Sequence, residues 1–266
     1  MSKPQHNWVK EAPGKLNRIE ASFSGKAFSP HRHDTYAIGI TLDGIQTFDY
    51  RGHTRHSLPG QVVVLHPDEI HDGRAGNDGG FRYRTLYLHP QHVQEILDGM
   101  PLPFIKNGIS TNNGLRRSVT NLLEDYDRPL SELEHDDFIY DLVQSLSTIG
   151  NAPAKPSAKS FKAALAAREY IDDSLDDAVT LQDLETATGR DRWALSRDFR
   201  AFYGTSPCRY LNFRRLESAK DMLQKGCSIA DTAYACHFSD QSHFTRHFKK
   251  TFGITPDKWR TIVLSA

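Results

Sequence analysis

The chain has 266 residues, and its 33 Lys and Arg balance 33 Asp and Glu, for a formal net charge of zero. That length suits one large domain or two ordinary ones, and no apolar run is long enough to span a membrane. The three cysteines, Cys208, Cys227 and Cys236, form no Cys-x-x-Cys pair, which excludes a disulfide framework and reads as reduced thiols in a cytosolic, unexported chain.

In chain order, the first ~90 residues alternate short β-prone runs with turn residues. The runs are YAIGITLDG (36–44), IQTFDYRG (45–52), GQVVVLHP (60–67) and FRYRTLYL (81–88). Close spacing of this kind predicts an antiparallel barrel or sandwich, and a small barrel can enclose a ligand. His31, His33, Tyr36, Glu69, His71 and Tyr83 are the polar and aromatic side chains expected to line it; each taken alone is also what an ordinary buried polar group or surface residue looks like. Helical spacing follows over 113–126 and 131–149, the second with Ser131 as its cap and an apolar stripe of Leu133, Phe138, Leu142, Leu146 and Ile149. Such a stripe serves a core or pairs two protomers.

Gly150–Ser160 (GNAPAKPSAKS) has linker composition, so the expected division is 1–150, a linker at 151–160, and 161–266. Beyond it, helices are expected over Ser160–Ser174, Thr180–Thr188, Tyr210–Lys225 and Ser228–Cys236. The segments DRWALSRDFRAFYGTSPCRY and DQSHFTRHFKKTFGITP repeat at an offset of 49 residues. The offset carries Leu195 to Phe244, Arg197 to Arg246, Phe199 to Phe248, Arg200 to Lys249, Gly204 to Gly253, Pro207 to Pro256 and Tyr210 to Trp259. Apolar residues fall on one helix face and cations on the other. Each copy follows a short helix and a tight turn, the layout of a helix-turn-helix whose second helix enters a DNA groove. Charge agrees: residues 1–150 hold 15 Lys and Arg against 19 Asp and Glu, whereas from Arg190 onward the count is 14 against 7. A basic half suits a phosphate backbone.

These residues carry a resemblance to the AraC/XylS family of bacterial transcription regulators. In the first repeat they are Leu181, Leu184, Gly189, Leu195, Arg197, Phe199, Gly204 and Pro207. In the second they are Ile229, Ala233, Phe238, Asp240, Gln241, Phe244, Arg246, Phe248, Lys249, Gly253, Thr255 and Pro256. HRHDTYAIGITLDGIQTFDYRG and LPGQVVVLHPDEIHDG resemble the family's cupin-type sensor. The resemblance implies an α+β two-domain fold: a cupin-like antiparallel β-barrel with flanking helices, then an all-α domain with two helix-turn-helix units. It also implies a sequence-specific DNA-binding regulator, not an enzyme, that answers to a small polar metabolite, acts in the bacterial cytoplasm as a homodimer, works with RNA polymerase and needs no cofactor. Arg192, Trp193, Ser196, Arg197 and Arg200 of the first unit, and Gln241, Ser242, His243, Arg246, Lys249 and Lys250 of the second, are then the DNA-contacting residues. Arg and Gln can read base edges, and Arg200, Lys249 and Lys250 suit phosphates.

Two positions depart from the family pattern. Glu185 stands where a small Ala is usual, and His237 where Gly is usual in the second turn. A charged group at a helix crossing needs a partner, and a non-Gly residue in a left-handed turn is strained, His less than most. A second reading takes the chain as a metal-dependent cupin enzyme or metal sensor. It would use His31, His33 and His71, although Ala37 and Ile38 stand where the metal motif places Glu.

Overall fold

The computed structural model describes residues 7–150 and 157–264. By contacts the chain divides into two compact units, one ending at residue 155 and the other running from 156, with residues 31–34 counted in the second. Of the expected linker, 151–156 lie outside the described residues, and 157–160 cap and open the next helix.

The first unit holds β1 (Trp8–Glu11), β2 (Arg18–Phe23), β3 (Lys26–His31), β4 (Tyr36–Gly44), β5 (Gln46–Tyr50), β6 (His53–Ser57), β7 (Val62–Leu65), β8 (His71–Ala75), β9 (Phe81–Leu88) and β10 (Ile109–Ser110), with α1 (Pro90–Leu97), α2 (Asn113–Leu123) and α3 (Glu132–Ile149). Six strands form a sheet in the order β1-β2-β9-β4-β7-β10, and four form a second in the order β3-β8-β5-β6. The expected antiparallel β-domain with flanking helices is present, but the barrel is not closed. The edge strands explain this: β10 has two residues and all four of β1 are exposed, too short and too wet to carry a ladder around.

Period-2 alternation sorts the large sheet's side chains onto two faces. Tyr36, Ile38, Val62, Val64, Leu86 and Leu88 face α1–α3, against Leu115, Val119, Leu122, Leu142, Val143 and Leu146. Ile19, Ala21, Phe23, Phe81 and Tyr83 face the small sheet, and so do Ala37, Val63 and Leu65, which pack with Phe48 and Tyr50 of β5. The α3 stripe is therefore core for Leu142 and Leu146, with Phe138 and Ile149 packed on the same cluster, while Leu133 is exposed. Arg18, 1% exposed, sends Nη1 to the carbonyls of Leu122 (3.0 Å) and Asp125 (3.4 Å) and Nη2 to those of Pro13 (3.3 Å) and Arg128 (2.8 Å). A cation there meets the negative end of α2.

The second unit is all helix: α4 (Ala158–Asp173), α5 (Leu181–Thr188), α6 (Arg192–Tyr203), α7 (Pro207–Gln224), α8 (Ile229–Ala235), α9 (Gln241–Phe252) and α10 (Pro256–Leu264). Ser157, Thr180, Asp191, Ser206, Ser228 and Asp240 cap six of them through side-chain oxygens, which satisfies amides that a helix start leaves open. There are two hydrophobic cores. Ala164, Ala167, Ile171, Leu184, Leu195, Phe199, Phe202 and Leu211 make one; Leu216, Ala219, Leu223, Ala233, Phe238, Phe244 and Phe248 make the other. The helix α7 gives Leu211 to the first and its later residues to the second.

Candidate functional site

The 49-residue repeat is a repeat of geometry. Gly204 and Gly253 close α6 and α9 in the left-handed region, at φ 73° and 76°, and return their amides to the carbonyls of Arg200 (3.0 Å) and Lys249 (2.9 Å). Only glycine takes that conformation without strain. Pro207 and Pro256 then open the following helices. Phe199 meets Tyr210 edge-on at 5.5 Å, and Phe248 meets Trp259 edge-on at 6.2 Å, so the aromatic pair that seats each helix recurs as well.

These buried pairs decide which way the other face looks. With Leu195 and Phe199 inward on α6, Trp193 is 72% exposed, and Arg197 and Arg200 are exposed. With Phe244 and Phe248 inward on α9, Gln241, Ser242, Arg246, Lys249 and Lys250 are exposed and His243 is half-buried. Ser196 is also half-buried; Arg200 folds back along its own helix onto the Ser196 carbonyl (3.0 Å) and hydroxyl. The His243 ring stands edge-on to His247 at 4.5 Å, and its Nδ1 lies 3.1 Å from the Ser239 hydroxyl. Burial, with His243, Lys250 and Arg246 alongside, lowers the His247 pKa.

Arg192, one of the expected DNA contacts, is exposed and paired within its own unit. Glu185 accepts the Arg192 amide at 2.8 Å and its Nε at 3.3 Å. The Arg192 amide and guanidinium hold that carboxyl below its ordinary range. The departure from Ala thus has a partner: Glu185 reaches across the turn and caps the first amide of α6, where negative charge is favoured. Arg190 is also structural, its Nε on Asp198 (2.8 Å) and its Nη2 on Ser160 (3.2 Å).

In the sensor, the expected lining residues do not share one surface. Tyr36 is buried on the helix-facing side of the large sheet and donates its hydroxyl to the Pro103 carbonyl at 2.8 Å. Tyr83 is buried on the opposite side, stacked near Phe81 and Phe23. The sheet itself separates them, so they cannot line one cavity. Glu69 is engaged by Arg51 (2.9 Å), and the Glu69 carbonyl lies 3.0 Å from His71 Nδ1. His31 ends β3 and His71 opens β8, neighbours in the small sheet, and the His31 and His33 rings stand 6.2 Å apart. Among the described residues no group of three or more His, Cys, Asp or Glu could hold a metal ion.

Sequence reasoning passed over His66. It is 4% exposed, accepts the Ile105 amide at Nε2 (2.9 Å) and so presents Nδ1–H to the Tyr50 hydroxyl at 2.6 Å. Burial, with Arg51 nearby, pulls its pKa down to about 3. The signal was available: His66 directly ends the wholly buried run VVVL.

Residues 13–143 match the model of an AraC-like ligand binding domain, and residues 184–262 match a helix-turn-helix domain. The chain is 26% identical over 226 residues to the HTH-type transcriptional regulator YbfI of Bacillus subtilis, covering 81% of each. It is 30% identical over 92 residues to the HTH-type transcriptional activator AarP of Providencia stuartii, covering 34% of this chain and 68% of that one. The crystal structure of unsaturated fatty acid bound ToxT from Vibrio cholerae shares the fold, with TM-score 0.66 at 14% identity over 97% of this chain and 99% of that one.

Proposed function

The chain belongs to the AraC family of transcription regulators, and from that premise we propose that α6 and α9 read two successive major-groove segments of one operator. It is a DNA-binding regulator with an N-terminal ligand-binding domain, so what is left to assign is which groups read and what they answer to. The observation that carries the two-groove reading is the paired geometry of the two helices. Each is seated by an equivalent edge-on aromatic pair and turns Arg197 or Arg246 outward. Arginine forks onto guanine, Gln241 can pair with adenine, and Trp193 offers apolar surface to thymine methyls. Lys249 and Lys250, in the last turn of α9, suit phosphates, which position without specifying.

The test compares two substitutions. Arg246→Ala should cost about 1–3 kcal/mol on the cognate duplex and relax preference at one base pair. Lys249→Ala should weaken every sequence about equally and lower the salt slope by roughly one ion. Binding titrations on cognate and random duplexes at several salt concentrations separate the two; a uniform loss in both would reduce α9 to a phosphate clamp.

The effector is a small polar molecule held by the N-terminal unit, and the working species is a homodimer. Polar side chains buried between the sheets support the first: the Thr41 and Ser57 hydroxyls lie 2.8 Å apart. The exposed apolar side chains of α3, Leu133 and Tyr140, support the second. Native mass spectrometry of the full chain tests both, with two chains and a retained polar molecule expected; bare monomer at micromolar concentration would count against both. The relatives are regulators, which supports regulation over a metal-dependent reaction.

A further inference from the structure

His237 sits in the turn between α8 and α9 at φ 57°, the left-handed region. Its amide donates to the Tyr234 carbonyl (3.0 Å) and the next amide, of Phe238, to the Ala233 carbonyl (3.0 Å). The backbone therefore makes the turn a glycine would make there, and the imidazole is an addition to it. That ring leaves its own helix pair: Nε2 lies 2.8 Å from the backbone carbonyl of Asp176, in the loop between α4 and α5. The same loop is held from α7, where Arg215 Nη2 donates to the Asp177 carbonyl at 2.6 Å. So the turn of the second helix-turn-helix is tied to the loop that introduces the first.

The tie matters because of how the unit is otherwise joined. The two cores share no residue, and α7 runs through both. A shared helix fixes the distance between the modules, while each module's setting about that helix rests on what packs or bonds to it. Polar contacts off the helix axis, at Asp176 and Asp177, add resistance to the second reading helix turning relative to the first.

We propose that His237 is a positioning residue that holds α9 at one setting relative to α6 and thereby sets the spacing of half-sites the protein accepts. The inference rests on the two-groove reading above. Because a carbonyl can only accept, Nε2 is the nitrogen that carries the hydrogen in this contact. His237 and Asp176 are both exposed, which keeps the effect modest.

The experiment uses the full chain and a duplex that it selects from a random pool, together with the same duplex lengthened or shortened by one base pair between the contacted segments. The parent should discriminate against both altered duplexes. His237→Gly relaxes the turn and removes the ring, so the chain stays folded while discrimination falls about 2- to 12-fold, the worth of one hydrogen bond. His237→Gln, which returns an N–H donor at similar reach, should restore much of it. Asp176→Asn should change nothing, because the acceptor is a backbone carbonyl. Unchanged discrimination in His237→Gly would overturn the proposal, and so would an equal loss of affinity on all three duplexes. A parent chain indifferent to spacing would overturn the two-groove reading and the tie with it.

Discussion

Phe248→Ala should remove about 3–5 kcal/mol of stability, the range for deleting a fully buried aromatic ring. Phe248 has no exposed surface and touches three other rings, Phe244 at 5.6 Å, Phe252 at 4.6 Å and Trp259 at 6.2 Å. Its core is small, built chiefly on α7, α8 and α9, so neighbours should refill a phenyl-sized void only in part. The damage should stay local, because the first helix-turn-helix packs on a separate set of residues. Urea unfolding followed by circular dichroism should then show an early step that the parent lacks. DNA affinity should fall only as far as the unfolded fraction of α9 requires, and saturating duplex should recover it. A loss below about 1 kcal/mol would mean that the cluster repacks and that Phe248 is not the keystone its burial indicates.

A comparable loss, about 3 kcal/mol or more, is expected for Arg18→Ala in the other unit. The guanidinium donates to four backbone carbonyls and is 1% exposed. Truncation strands buried acceptors at about 1–3 kcal/mol each, offset in part where water can enter. Arg18→Lys should rescue little, since an ammonium is a point donor and cannot span carbonyls contributed by Pro13, Leu122, Asp125 and Arg128. Burial lowers the Arg18 pKa, yet an arginine stays charged over the working range, so the loss should be independent of pH between 6 and 9. Chemical denaturation at both ends of that range checks it, and full stability in the lysine variant would show that charge rather than fork geometry holds the segment around 122–128.

What could be read in advance follows from how local each constraint is. The helical repeat was legible because an amphipathic helix writes its buried face at spacings of three and four, and a Gly-x-x-Pro stop follows each copy. Leu195 and Phe199, Phe244 and Phe248 are buried as that spacing required. The strands FRYRTLYL and YAIGITLDG were read to the residue, whereas KAFSPH, HTRHS and HDGRA escaped because they carry little apolar alternation. The pocket lining failed for a different reason. Which face Tyr36 and Tyr83 take depends on the register of β4 against β9, where Tyr36 lies across from Leu88 and Thr41 from Tyr83. Register is settled by pairing over more than forty positions of chain, which no short window contains. Glu185 and His237 were visible as departures, but their partners, Arg192 and the Asp176 carbonyl, needed the tertiary structure.

The α7 helix has a kinetic consequence. It joins two small, separately cored reading modules through 18 residues of continuous helix, about 27 Å long at 1.5 Å per residue. When one reading helix lifts from its groove, the other still holds it close to the vacated site, at an effective concentration far above that of protein free in solution. Re-seating then competes with escape, and complete release requires both modules to be off together. Such a complex owes its lifetime to slow departure more than to fast arrival. Each module can therefore remain weak enough alone to leave wrong sequences quickly, while the pair lingers where both grooves match.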